Sequence, residues 1–274
     1  MNRTSRRAPR RLLAGIGAAA VLLAAGACSS DGSDGSGDTR GSGGGASGRP
    51  TGTVTVFAAA SLQESFTTLG KTFEKRYPGT KVAFNFGGSD SLAAGITGGA
   101  PADVFASASP RTMKTVTDAG DAAGTPATFV RNRLEIAALQ GNPDHISSLK
   151  DLTRSGLKVV LCAETVPCGA ATRTALEASG LKLTPVSYEQ DVKSALTKVE
   201  LKEADAAVVY RTDVKAAGGK VEGVEFPESA EAVNDYPIVR LKNAGNASGA
   251  KAFLALVNSA EGRKVLGAAG FLTP

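Results

Sequence analysis

Strand and helix signals in strict turn, a pattern that restarts midway, and a Gly/Ser-rich leash at the front predict an α/β protein of two lobes. From residue 53 to 119, each short strand-like run is followed by an amphipathic stretch, the order that builds a parallel three-layer unit. After about residue 125 the pattern begins again with two strand runs in succession, so a second lobe is expected rather than one longer sheet. Ser29 to Pro50 has 14 of 22 residues Gly or Ser, too few apolar groups to bury a core, and reads as a flexible tether.

The elements follow in order. Thr53 to Ala58 (TVTVFA) is the first strand. Leu62, Phe66, Leu69, Phe73 and Tyr77 recur every three or four residues and mark one face of a helix, which Pro78-Gly79 stops. Lys81 to Phe86 (KVAFNF) is the second strand, and Gly87-Gly88-Ser89 opens a short helix through Ile96. Asp103 to Ala106 is the third strand, with a helix from Pro110 to Ala119. Further strands are expected over 127–131, 133–139, 157–161 and 205–209, and helices near 147–153, 169–179 and 189–200. The last of these carries Val192, Ala195, Leu196 and Val199 as its apolar stripe. Strands near 222–226 and 237–241 and helices over 249–258 and 260–268 complete the body. Trp is absent, so the core must come from Val, Leu, Ala and Phe.

Ahead of the body, Leu12 to Ala27 is a sixteen-residue apolar run behind Arg3, Arg6, Arg7, Arg10 and Arg11, with Ala25-Gly26-Ala27 leading into Cys28. That is the basic, apolar, small-residue order of a secretory signal, and it is short of the roughly 20 apolar residues of a membrane span. A cysteine at that point resembles a bacterial lipoprotein processing site, where Cys28 would become the lipidated first residue of an extracytoplasmic protein held at the cell membrane. Plain secretion and a retained anchor are the alternatives. The formal charge of +5 belongs to the five leader arginines, and the remaining chain balances at 26 Lys+Arg against 26 Asp+Glu. No basic footprint for nucleic acid is left, and membrane contact is expected only through the lipid anchor.

Catalytic chemistry finds little support. His145 is the single histidine, in a loop-like Asn142-Pro143-Asp144 context that suits a surface or capping role. A serine triad would need it beside a nucleophile and an acid. A Gly-x-Ser-x-Gly elbow, a His/Cys metal cluster and a phosphate loop are all missing. An enzyme is not expected, and no cofactor.

Instead, small polar residues gather where strands give way to helices: Ser61 after Ala58-Ala59-Ala60, Ser89 in Gly87-Gly88-Ser89-Asp90-Ser91, Cys168-Gly169 behind Pro167, and Gln190-Asp191-Val192. Helix starts carry unpaired N–H groups and a partial positive charge, so they favour anions. Each Ser or Asp could equally cap its own helix. Ser61 is the sharper case, because ligands of open α/β sheets sit at strand carboxyl ends.

Thr53 to Leu62 (TVTVFAAASL), Gly99 to Ala106 (GAPADVFA) and Val208-Val209-Tyr210, in this order and spacing, closely resemble the bacterial molybdate-binding proteins of ABC transporters, with Asp235 to Val239 (DYPIV) fitting the same family's return to its first lobe. The resemblance covers about 53 to 272. It implies the type II periplasmic-binding-protein fold, two α/β lobes joined by two crossovers, with an oxyanion closed between them. The organisation it suggests is a signal peptide over 1–27, a lipidated Cys28 and tether over 28–51, the first lobe over 52–126, the second over 127–231, and a return to the first over 232–274. It places the oxyanion-binding hydroxyls on Ser61, Ser89 and Tyr210, and backbone donors on Cys168 and Val192. Cys168 stands where the family usually has Ala, which leaves a backbone donor intact. Asp90 follows Ser89 where a small neutral residue is common, acceptable only if it points outward. The implied partners are molybdate or tungstate and a membrane permease, with molybdenum present only as bound molybdate. A monomer is expected. Sulfate, thiosulfate or another tetrahedral oxyanion is the alternative ligand.

With Cys28 lipidated, Cys162 and Cys168 remain as an even pair in an oxidising compartment, flanking Ala163 to Pro167. A disulfide bracing the loop that carries the Cys168 donor is expected, with free thiols and a metal site as alternatives.

Overall fold

The computed structural model describes residues 49–274. The leader, Cys28 and the tether up to residue 48 lie outside the described residues. Strand β1 (Gly52–Ala59) runs through a single 3-10 turn into α1 (Gln63–Arg76), followed by β2 (Thr80–Gly87), α2 (Ser89–Thr97), β3 (Val104–Ala106), α3 (Pro110–Asp118) and β4 (Ala127–Asn132). The second half carries β5 (Leu134–Leu139), β6 (Val159–Cys162), α4 (Pro167–Ser179), β7 (Ser187–Glu189), α5 (Val192–Glu200), β8 (Ala206–Tyr210), α6 (Arg211–Ala216) and β9 (Val221–Val224). The chain closes with β10 (Asn234–Arg240), α7 (Ala247–Val257) and α8 (Ala260–Ala268).

Two five-stranded sheets form, in the orders β2-β1-β3-β10-β4 and β7-β6-β8-β5-β9. The change of sheet falls between Asn132 and Leu134, not at 127. The runs 127–131 and 133–139 look like sequential partners, yet one intervening residue leaves no room for a turn, and the chain continues straight from one lobe into the other. Phe129 and Val130 pack in the first-lobe core, where Phe129 lies 5.9 Å from Phe66, centroid to centroid. The second crossover follows Ala232, which still belongs to the second-lobe core. There β10 enters paired antiparallel to β4, Asn234 opposite Asn132. Because the chain returns at the end where β4 left, β10 must run against its neighbours, so the first sheet is mixed rather than wholly parallel. For the same reason β5 lies antiparallel to β8 and β9 in the second sheet.

Local differences have local causes. The helix expected over 189–200 begins at Val192, because Asp191 is its N-cap and 187–189 is the short strand β7. The stretch near 147–153 forms only a 3-10 turn over Leu149–Thr153. Asp103, in the GAPADVFA segment, ties the first lobe together: one carboxylate oxygen accepts the Thr55 N–H and the other the Asn246 N–H at the start of α7.

Candidate functional site

The carboxyl ends of β1 and β2 in one lobe, and of β6, β7 and β8 in the other, meet at a cavity of about 220 Å³, open solvent at its mouth included. Ser61, Ser89, Cys168, Val192 and Tyr210 all line it. Among the described residues no Lys or Arg does, and the one charged lining residue is Asp191. Ligand crevices of open α/β sheets occupy this position.

In the first lobe the serines are not helix caps. Ser61 lies within the 3-10 turn Ala60–Leu62, and the N-cap of α1 is Leu62. Ser89 is the first residue of α2, behind Gly88 as N-cap. Its Oγ accepts the Ala108 N–H at 3.0 Å. Both serines are buried.

In the second lobe the two residues expected to supply backbone donors, Cys168 and Val192, stand at helix starts. Pro167 opens α4 behind Val166 as N-cap, so the Cys168 N–H falls among the first-turn donors that no helical carbonyl reaches. Asp191 caps α5 by accepting from Lys193 N at 2.8 Å and Ser194 N at 2.9 Å. That satisfies the second and third N–H groups of the helix and occupies the Asp191 charge, while Val192, the first residue of the helix, lines the cavity. A disulfide joins Cys162 to Cys168 across Cα atoms 5.8 Å apart, so the expected bridge is present. The loop folds back so tightly that a Cβ on Gly169 would fall 1.9 Å from the Ala163 carbonyl oxygen; only glycine fits.

Behind the cavity lies a polar layer at the crossovers. The Ser61 hydroxyl is 2.9 Å from that of Tyr236, which accepts from Asn132 Nδ2 at 3.3 Å. Asn132 also donates to Thr212 Oγ1 at 2.9 Å. Asn234 Nδ2 donates to Tyr210 Oη and to the Ala108 carbonyl, each at 2.8 Å. Burial raises the Tyr210 hydroxyl well above the usual phenol range and raises Tyr236 as well, so both stay protonated donors. Tyr236, Asn132 and Asn234 were not singled out from the sequence. DYPIV marked the region of Tyr236 but not its hydroxyl, and a lone Asn at a strand end gives no periodic signal.

The lobes are closed on each other. A Cβ on Gly88 would sit 2.5 Å from the Gln190 carbonyl oxygen of the opposite lobe. Lys193 of the second lobe pairs with Glu64 of the first at 2.8 Å and lies 3.2 Å from the fully buried Asp213. Burial pushes Asp213 up to about 6, against the pull of Lys193. Burial also opposes the Lys193 charge, yet Asp213 and Glu64 outweigh it and raise the lysine above its ordinary value. Asp90 does not line the cavity, although its Oδ1 is buried without a hydrogen-bond partner.

A family profile described as bacterial extracellular solute-binding protein matches residues 54–272. The chain is 47% identical over 221 residues to the molybdate-binding protein ModA of Mycobacterium tuberculosis, covering 81% of this chain and 85% of that one. Among solved structures, the periplasmic molybdate-binding protein of Azotobacter vinelandii superposes with a TM-score of 0.71 at 21% identity, over 81% of this chain and 99% of that one. The sulfate-binding protein SubI of M. tuberculosis gives 0.68 at 18% identity, over 80% and 86%. At such identities the structures speak for the fold alone, and they bear out the bilobal periplasmic-binding-protein architecture.

Proposed function

Because the chain belongs to the bacterial extracellular solute-binding proteins, we propose that its cleft captures molybdate outside the cytoplasm and delivers it to the permease of an ABC importer. The observation that supports this reading is one cavity lined from both lobes by three hydroxyl-bearing residues and by two residues at helix starts, Cys168 and Val192, with no Lys or Arg among the described residues that line it. A desolvated dianion needs its water shell replaced by fixed donors. Neutral donors do this without a strong Coulomb trap, so release to a permease stays possible. Hydrogen bonds to a charged group contribute about 1.5–3 kcal/mol each, and five together suffice for tight capture. The name of the 47%-identical relative supports molybdate as the ligand.

Tungstate, with the same charge and nearly the same size, should bind comparably. Sulfate carries the same charge on a smaller tetrahedron, so its exclusion rests on cavity size. The role is one of binding rather than catalysis. Lipidation at Cys28 would hold the body near the membrane on the Gly/Ser tether. Calorimetric titration of the purified body with molybdate, tungstate, sulfate and phosphate tests the assignment. Molybdate and tungstate should bind far more tightly than the other two. Sulfate binding as tight as molybdate would make this a receptor for the smaller anion.

A further inference from the structure

We propose that Asn132, Tyr236 and Asn234 are positioning residues that fix the direction of the hydroxyl protons at the cleft, making Ser61 and Tyr210 obligate donors to the ligand. The inference rests on the oxyanion reading above and adds to it the groups that decide which oxyanions are refused.

The argument starts from groups that cannot reverse. Asn132 Oδ1 accepts the Arg133 N–H at 3.0 Å, and a backbone N–H only donates, so the amide orientation is settled. The nitrogen of Asn132 therefore faces Thr212 and Tyr236. Asn234 is fixed from the other side: it contacts the Ala108 carbonyl, which only accepts, so the contacting atom is nitrogen. Its second hydrogen goes to Tyr210 Oη.

The consequences propagate outward. Tyr210 Oη receives a hydrogen bond from Asn234, so its own proton goes to another group: a ligand in the cavity that it lines, or the neighbouring Tyr236 hydroxyl when the cleft is empty. Tyr236 Oη receives from Asn132 and has Ser61 Oγ within 2.9 Å to take its proton. Ser61 then accepts, and its own proton is turned to the cleft. The reverse direction would deprive the buried Tyr236 proton of this 2.9 Å acceptor. Ser89 accepts the Ala108 N–H, which cannot accept in return, so its proton is directed likewise. All three hydroxyls of the cavity are polarised the same way.

Asn132 and Asn234 are also a register pair where the chain leaves and re-enters the first sheet. The hinge therefore sets the polarity of the site. A cleft whose hydroxyls donate, and whose one lining carboxylate among the described residues, Asp191, is already taken up by Lys193 N, Ser194 N and Ser194 Oγ, accepts a fully ionised dianion. It refuses one that still carries an O–H, for which no acceptor waits.

The test compares molybdate with hydrogenarsenate at mildly alkaline pH, where both are dianions of similar size but only the second carries a proton. Because the charges match, the ratio of the two affinities isolates hydrogen-bond direction from Coulomb repulsion. In Asn132→Asp the carboxylate accepts from Tyr236, Tyr236 accepts from Ser61, and Ser61 turns a lone pair to the cleft. The wild-type protein should bind molybdate and refuse hydrogenarsenate. The variant should lose roughly tenfold or more in molybdate affinity, the order of one hydrogen bond to a charged group, while its preference moves toward hydrogenarsenate. Tyr236→Phe keeps the ring and removes the relay; it should move the ratio in the same direction by less, and it carries the test if Asn132→Asp does not fold by circular dichroism. A ratio unchanged within about twofold in the folded variants, with molybdate still bound, overturns the inference. Failure of the wild-type protein to bind molybdate overturns the functional reading instead.

Discussion

The two lobes face one cavity but are built from different materials. The first holds nine of the ten phenylalanines, most of them in one aromatic cluster around Phe66, Phe84 and Phe253. The second has Phe226 as its single phenylalanine, in a core of Ala, Val and Leu. What they bring to the cavity differs too. The first lobe lines it with two serines, and the second with the helix starts at Cys168 and Val192, braced by a disulfide and an Asp cap, with Tyr210 beside them. A lobe packed with large rings holds its side chains by bulk, whereas one built from small residues relies on covalent and capping constraints to hold its backbone. The two should therefore fail in different ways.

The sharpest contrast is in binding. Ser61→Ala with Ser89→Ala removes two donors to a charged ligand, about 3–6 kcal/mol in all, so molybdate affinity measured by calorimetry should fall at least a hundredfold with the circular dichroism unchanged. Val192→Ala, on the opposite lobe, keeps its N–H and should stay within about threefold of wild type. Equal losses in the two would erase the distinction. In stability the first lobe is the more exposed. Phe253 is fully buried between Phe66 and Phe73, and Phe253→Ala should lower the unfolding free energy in urea by about 3–5 kcal/mol.

Reduction acts only on the second lobe. Opening the Cys162–Cys168 bridge, which spans a sequence separation of 6, should cost up to about 2–3 kcal/mol and weaken molybdate binding through a looser Cys168 donor. If melting temperature and affinity both ignore reductant, the brace has no such role. The smallest effect lies in pH dependence. The folded-state pKa of Asp213, about 6, is raised above its ordinary 3.8, so the folded protein keeps a proton there that the unfolded chain releases. Stability contributed by this group is present in acid and is lost as pH rises from about 4 to about 6. In Asp213→Asn the melting temperature should lack that descent; identical slopes in variant and wild type would show that the carboxylate does not titrate in this window.

The parts legible in the sequence share a property: each is set within a few residues. Helix faces such as Leu62 to Tyr77, the strand ends before Ser61 and Ser89, and the helix start at Val192 are written in local periodicity and small polar residues. What escaped depends on distant partners. Nothing within residues 127–132 says that β4 pairs with a strand more than a hundred residues later. The polar layer of Asn132, Asn234 and Tyr236 comes together only when both crossovers lie side by side. The three-residue β7 is too short to show alternation.

One contact noted earlier carries a consequence for selectivity. Where Gly88 meets the Gln190 carbonyl, the jaws touch through polypeptide rather than through side chains. At this point the depth to which they shut is limited by a caliper stop milled into the main chain. Any side chain at position 88 would hold that stop ajar.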